Sequence, residues 1–192
     1  MSSKRKITSD EALQRLIEGN KRFLTGEPYL SGFPKETIAE LVNGQNPYAT
    51  ILGCSDSRVP PEIIFHTGLG ELFVVRVAGN VISPEVAGSI QYAGSHLQTP
   101  LFVVLGHEGC GAVHAALETK YKGAKQRSRI QLLVDNLLPA IDKLDPYLES
   151  GELYTQAIEM NVRWTVKTIM ESPEGKARQA EGVMKCIGAI YE

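Results

Sequence analysis

Only three cysteines, Cys54, Cys110 and Cys186, occur in 192 residues. An odd number closes no complete disulfide framework, so in a reducing compartment metal binding or catalysis is the better explanation for at least two of them. An apolar leader is also missing. Met1-Ser-Ser-Lys-Arg-Lys-Ile7 is polar and runs straight into helical periodicity, with no stretch suited to a signal peptide or a membrane span. The expectation is a cytoplasmic protein without a membrane partner. Charge of one sign is lacking too: 20 Lys and Arg stand against 22 Asp and Glu, for a net −2. The basic runs at 4–6 and 120–129 carry no interleaved aromatics, which argues against a nucleic-acid partner and for solvated surface. There is no internal repeat and no low-complexity linker. With 43% hydrophobic and 22% charged residues, one domain with a sizeable core is expected.

Hydrophobic periodicity predicts a helix over 9–24, with Leu13, Leu16, Ile17, Phe23 and Leu24 on one stripe and Ser9 or Asp10 as cap. A short helix over 34–43 is broken by Gly44-Gln45-Asn46-Pro47. Strands are predicted at 48–53, 72–78, 101–105 and 183–191, and helices at 86–97, 111–118, 130–144 and 153–171. Strands separated by helix-length segments require crossovers, hence an α/β fold with a mostly parallel central sheet of about four strands flanked by helices. Residues 1–44 form an N-terminal helical arm and 45–192 the α/β core.

Two runs carry chemistry: Cys54-Ser-Asp56-Ser-Arg58 and His107-Glu-Gly-Cys110, each directly after an apolar strand. In an open parallel sheet such positions converge outside the carboxyl ends of the strands. Two thiolates and an imidazole suit zinc, with a fourth place open for water. A hydroxide formed there near neutral pH would be the reactive charge. Asp56 can hydrogen-bond that water or take the fourth place itself, and Arg58 can grip the carboxylate with two hydrogen bonds. Taken singly, a buried cysteine is a small core hydrophobe and Asp-x-Arg a turn with an ion pair. A thiol nucleophile with a histidine base is a third option, but it leaves Cys110 and the Asp56-Arg58 pair without work. Zinc ligation uses all five. Cys186, in the last apolar strand, is expected in the core.

The runs Cys54-Ser-Asp-Ser-Arg58-Val and Gly106-His-Glu-Gly-Cys110-Gly-Ala resemble the two signature motifs of the β-class carbonic anhydrases. The resemblance extends over roughly residues 10–191. It implies one Zn2+ per chain on Cys54, His107 and Cys110, with Asp56 and Arg58 as catalytic dyad. It also implies reversible hydration of carbon dioxide to bicarbonate and a proton by zinc-bound hydroxide. Further matches imply a substrate pocket: Gln45 reaching the neighbouring subunit's site, Phe73 and Tyr92 as an aromatic wall, Ala78 as a small apolar neighbour, and the N–H of Gly111 as a donor. The family implies a homodimer, or a tetramer or octamer built from dimers, with the 9–24 helix packing across the partner. Members regulated by bicarbonate, with the aspartate on zinc, carry tryptophan three residues before the first zinc cysteine. Here that residue is Ile51, and although Arg76 matches their pocket arginine, the accessible type is expected, with Asp56 a fourth ligand only at acid pH.

The chain also departs from the family pattern. The final strand stops at Tyr191-Glu192 where relatives continue into a hairpin, so a shortened edge strand or a truncated chain is expected. His66 stands where many relatives carry an acidic residue. It would relay protons if it faced the cleft, but a satisfied, partly buried histidine is the commoner outcome, as for His96 and His114. Two competing functions fit the same residues: a carbonyl sulfide or carbon disulfide hydrolase using the same chemistry, and a non-catalytic zinc or thiol-sensing protein.

Overall fold

The computed structural model describes residues 7–27 and 35–192. Pro34 of the second predicted helix and the basic run at 4–6 therefore lie outside the described residues. Four strands, β1 (Ala49–Gly53), β2 (Leu72–Arg76), β3 (Leu101–His107) and β4 (Lys185–Tyr191), form one sheet in the order β2-β1-β3-β4 with every pairing parallel. Both interior strands, β1 and β3, are buried along their whole length. Their near-continuous apolar sequences follow from being covered on both faces.

Alternation along β3 divides the core. Leu101, Val103 and Leu105 pack with Ala12 and Leu16 of α1 (Ser9–Leu24) and with Ile64 of α3 (Pro61–Ile64). Phe102 and Val104 face the opposite way, towards Val86 and Ile90 of α4 (Pro84–Tyr92) and Val162 and Ile169 of α7 (Ser150–Glu171). A third cluster sits at the carboxyl end of the sheet. There Cys54 and Cys110 pack with Val113 of α5 (Gly111–Lys122), Val134 and Leu137 of α6 (Ser128–Leu137), and Ile158 of α7. The helical stripe of α1 is thus buried in its own subunit, at Ala12 and Leu16, whereas Ile17 and Leu24 stay exposed.

Several boundaries move for identifiable reasons. Thr8, not Ser9 or Asp10, caps α1: its hydroxyl accepts from the Glu11 N–H at 3.2 Å while the Glu11 carboxylate accepts from the Thr8 N–H at 2.8 Å. This reciprocal capping box is worth about 1 kcal/mol. The second helix, α2, spans Lys35–Leu41. The helix expected over 130–144 ends at Leu137 because Pro139 supplies no N–H to continue it. Helix α4 starts two residues early, under a Ser83 cap with Pro84 at its first position, and ends in a wide π turn, Ala93–Leu97. A further helix not expected from periodicity, α8 (Pro173–Ala180), lacks large apolar residues and is introduced by a Ser172 cap.

The order β2-β1-β3-β4 sets the place of the site. From β1 the chain leaves towards β2, whereas from β3 it leaves towards β4 on the other side. The loops diverge between β1 and β3, which opens a crevice at their carboxyl ends.

Candidate metal centre

Cys54 follows the last residue of β1, His107 is the last residue of β3, and Cys110 immediately precedes α5. All three are buried, and their ligand atoms lie within 4.8 Å of one another. A tetrahedral zinc with ordinary bond lengths separates its ligand atoms by roughly 3.5–3.8 Å, so the trio needs little adjustment. His107 gives the most direct test of fit. Its Nδ1 lies 2.8 Å from the Glu108 carbonyl, which fixes the proton there, and its Nε2 is buried with no partner among the described residues. A buried imidazole nitrogen with a bare lone pair beside two thiols is a metal ligand in waiting.

The thiols reinforce that conclusion. A hydrogen bond from Cys110 holds the Cys54 thiol well below the usual thiol range, against the opposing effect of burial, and the Gly79 N–H at 3.3 Å from Sγ adds to the lowering. Cys110 is pushed up by the same shared hydrogen bond and by burial. Two buried thiols in hydrogen-bond contact suit a dication that would neutralise both as thiolates.

Asp56 and Arg58 flank this trio in a closed pair. Arg58 donates from Nε to Oδ1 at 2.9 Å and from Nη2 to Oδ2 at 2.9 Å, and its backbone N–H reaches Oδ1 at 3.0 Å. The Arg58 side chain, followed by its backbone N–H, keeps the Asp56 carboxyl well below the usual carboxylate range. Each carboxylate oxygen has two lone pairs, so Oδ1 is filled whereas Oδ2 retains one. Arg58 also spans the crevice, donating to the carbonyls of Glu108 at 3.3 Å and Gly109 at 3.2 Å. Gly109 must be glycine: φ is +68°, and an added Cβ would fall 3.1 Å from the guanidinium. On the other side Arg76 donates to the carbonyls of Cys54 at 2.9 Å and Asp56 at 2.6 Å, fixing the first loop from below.

Helix α7 supplies supports that sequence reasoning missed. Asn161, 2% exposed, donates from Nδ2 to the Gly79 carbonyl at 2.8 Å, and Tyr154 donates its hydroxyl to the Cys110 carbonyl at 2.7 Å. Gly79 sits at φ +71° in a short turn, Ala78–Asn80, where an added Cβ would meet Ala112 at 2.9 Å. Asn161 therefore holds the carbonyl of the residue whose N–H points at Cys54. The available signal was a buried amide on the apolar stripe Ile158, Val162, Ile169. Asn161→Leu leaves the Gly79 carbonyl unpaired and is expected to lower stability by about 1–3 kcal/mol and zinc affinity by roughly ten- to a hundredfold. Thermal melts and a competitive zinc-chelator titration measure the two effects, and unchanged zinc affinity would contradict the support role.

The remaining predicted residues divide between the two ends of the sheet. Ala78 opens the turn beside Cys54, and Gly111 is the first residue of α5 after Cys110. Phe73 instead pairs with Thr50, four residues before Cys54 and roughly 13 Å away at strand spacing. Tyr92 ends α4, which runs back from the carboxyl end, and Gln45 precedes β1. Phe73 and Tyr92 meet with ring centroids 6.0 Å apart, and Tyr92, 45% exposed, stacks on His96 at 4.8 Å. His66 accepts from Arg22 Nε of α1 at Nδ1, 3.1 Å away. His114 is exposed, 3.8 Å from Glu118 and edge-on to Tyr154. Cys186 packs with the α4–α7 core, its thiol pushed up to about 12 by burial.

Comparison with known proteins places this geometry in context. The family described as carbonic anhydrase matches residues 49–192. Carbonic anhydrase 2 of Mycobacterium tuberculosis strain H37Rv is 47% identical over 184 residues, covering 94% of this chain and 87% of the relative. The carbonic anhydrase of Synechococcus elongatus is 31% identical, covering 94% of this chain and 68% of its own. Among solved structures, the β-carbonic anhydrase CcaA has a TM-score of 0.73 at 30% identity, covering 93% of this chain and 89% of that one. The β-carbonic anhydrase CafA of Aspergillus fumigatus has a TM-score of 0.72 at 27% identity, covering 95% and 85%.

Proposed function

The chain belongs to the β-class carbonic anhydrases, and on that premise we propose that it hydrates carbon dioxide reversibly to bicarbonate and a proton with one zinc on Cys54, His107 and Cys110. The observation that carries the metal assignment is the bare, buried Nε2 of His107 beside two buried thiols, all three ligand atoms within 4.8 Å of one another. Zinc, when bound, supplies Lewis acidity that brings the pKa of water near 7, so a nucleophile for carbon dioxide exists at neutral pH.

The chain's own groups do the rest. Asp56 presents the spare lone pair of Oδ2 as a fixed hydrogen-bond acceptor at the edge of the crevice, and the bidentate Arg58 prevents that carboxylate from rotating. Arg58 is largely exposed, so its ion pair adds little stability and serves orientation instead. Both Asp56 oxygens accept from Arg58, which holds the carboxylate in place and supports a fourth metal position that would be left to water, with Asp56 moving there only at acid pH. Ala78 and the Gly111 N–H line the near side of the substrate space.

Gln45, Phe73 and Tyr92 stand at the opposite end of the sheet from their own metal site. This separation supports a homodimer in which each subunit lends these groups to its partner, and larger assemblies would be built from that dimer. An apolar aromatic wall suits an uncharged gas. A monomer by light scattering would contradict the shared site. Among the described residues no helix is long and apolar enough to cross a membrane, and two thiols kept free for metal suit a reducing cytoplasm.

Relative turnover on carbon dioxide and carbonyl sulfide, measured on zinc-loaded protein, tests the substrate. Carbon dioxide is expected to be favoured by several orders of magnitude; preference for the sulfur gas would assign the site to its hydrolysis.

A further inference from the structure

The face of the sheet covered by α4 and α7 holds a second feature that carbon dioxide hydration does not use. Between α4, the end of α7 and α8 lies a cavity of about 300 Å³, walled by Ile90, Phe102, Ile169 and Met184. It is remote from the metal centre: Phe102 precedes His107 by five residues of β3, roughly 16 Å of strand. An apolar cavity of about 150 Å³ takes up benzene. This one therefore has room for a ring or short branched chain together with a head group.

Its polar walls identify the head group. The Thr168 hydroxyl donates to the Trp164 carbonyl at 2.8 Å, and Ser172 donates to the Ile169 carbonyl at 2.7 Å while accepting from the Gly175 N–H. Glu174 accepts from the Ser95 hydroxyl at 2.8 Å. Arg178 differs. Its side chain is 12% exposed, Nη1 reaches only Glu181 at 3.5 Å, and Nε is buried with no partner among the described residues. Among the described residues it is the one buried polar atom lining this cavity that is unpaired. A desolvated donor gives up its water without return unless an acceptor takes its place. Guanidinium Nε–H and Nη–H lie parallel and match the two oxygens of a carboxylate.

We infer that this cavity binds a small carboxylate with a compact apolar body, held by Arg178 through Nε and a neighbouring Nη. The body lies against Phe102, Ile169 and Met184. Glu181, exposed and only weakly engaged, gives way to the ligand, and the charge of Glu174 is held by Ser95. For a molecule of so few atoms, beside a fixed negative charge, a dissociation constant on the order of 1 mM is expected.

Benzoate is the probe, and benzyl alcohol its neutral analogue of similar shape. Methyl NMR of Ile90, Ile169 and Met184 in the zinc-loaded chain should show saturable shifts with benzoate, and at least tenfold weaker binding of benzyl alcohol. Arg178→Gln should weaken benzoate at least tenfold. Ala87→Leu, which narrows the cavity from an exposed position on α4, should abolish the shifts and serves if the arginine variant does not fold. The inference is overturned if those methyls do not move, if the alcohol binds as well, or if Arg178→Gln leaves affinity unchanged. Benzoate captured by the metal centre would give the last pattern, with shifts near His107 that survive the substitution.

Discussion

Cys54→Ser, Cys110→Ser or His107→Ala is expected to remove bound zinc and carbon dioxide turnover together. Each substitution leaves two protein ligands where a stable zinc site uses at least three, and the affinity loss should exceed the ten- to hundredfold of a supporting-residue change. Stability follows the metal, because a ligand that binds only the folded state adds RT ln(1 + [L]/Kd) to it. A strong chelator should therefore lower the melting temperature of the wild-type chain and leave the three variants where they are. Zinc content by elemental analysis, stopped-flow hydration and melting with and without chelator check this on the same preparations. A variant that lost zinc but kept turnover would remove the metal from the reaction.

Asp56→Asn is expected to separate metal from rate. The asparagine is isosteric, so zinc should stay near one per chain, but it offers a single acceptor oxygen and no charge for Arg58. A fixed acceptor of this kind contributes typically 10²–10⁴-fold, so turnover should fall by about that factor. The pH profile distinguishes the role further. Arg58 depresses the Asp56 carboxyl far below neutrality, so the group is ionised throughout pH 6.5 to 9 and cannot produce a rise in turnover across that window. The variant should lower the plateau without moving its midpoint. A midpoint that moved with the substitution would make Asp56 the titrating group.

The sheet was readable in the sequence because its causes are local. Apolar runs of strand length, separated by helix-length segments, leave few arrangements other than parallel crossovers, and all four strands lie on the apolar runs read from the sequence. The metal trio was readable because two short motifs at strand ends carry ligand types with few other joint uses. The supports were not. Asn161 and Tyr154 lie 82 and 44 residues from the carbonyls they hold, and no local pattern links a helix amide to a glycine peptide so distant. The N–H of Gly79 on Cys54 was hidden for the same reason. Helix α8 escaped because it carries no large apolar residue and so no hydrophobic periodicity, which left its Ser172 cap and Pro173 as the signals. The position of Phe73 and Tyr92 at the far end of the sheet depends on register, which motif spacing does not encode.

Zinc titration of metal-depleted protein, followed by stopped-flow carbon dioxide hydration between pH 6.5 and 9, tests most directly whether the Cys54-His107-Cys110 centre is the engine of the reaction. Turnover should climb in proportion to bound zinc, level off at about one zinc per chain as a Cys2His site requires, and increase with pH. Turnover independent of zinc, or full zinc loading with no turnover at any pH, would contradict it.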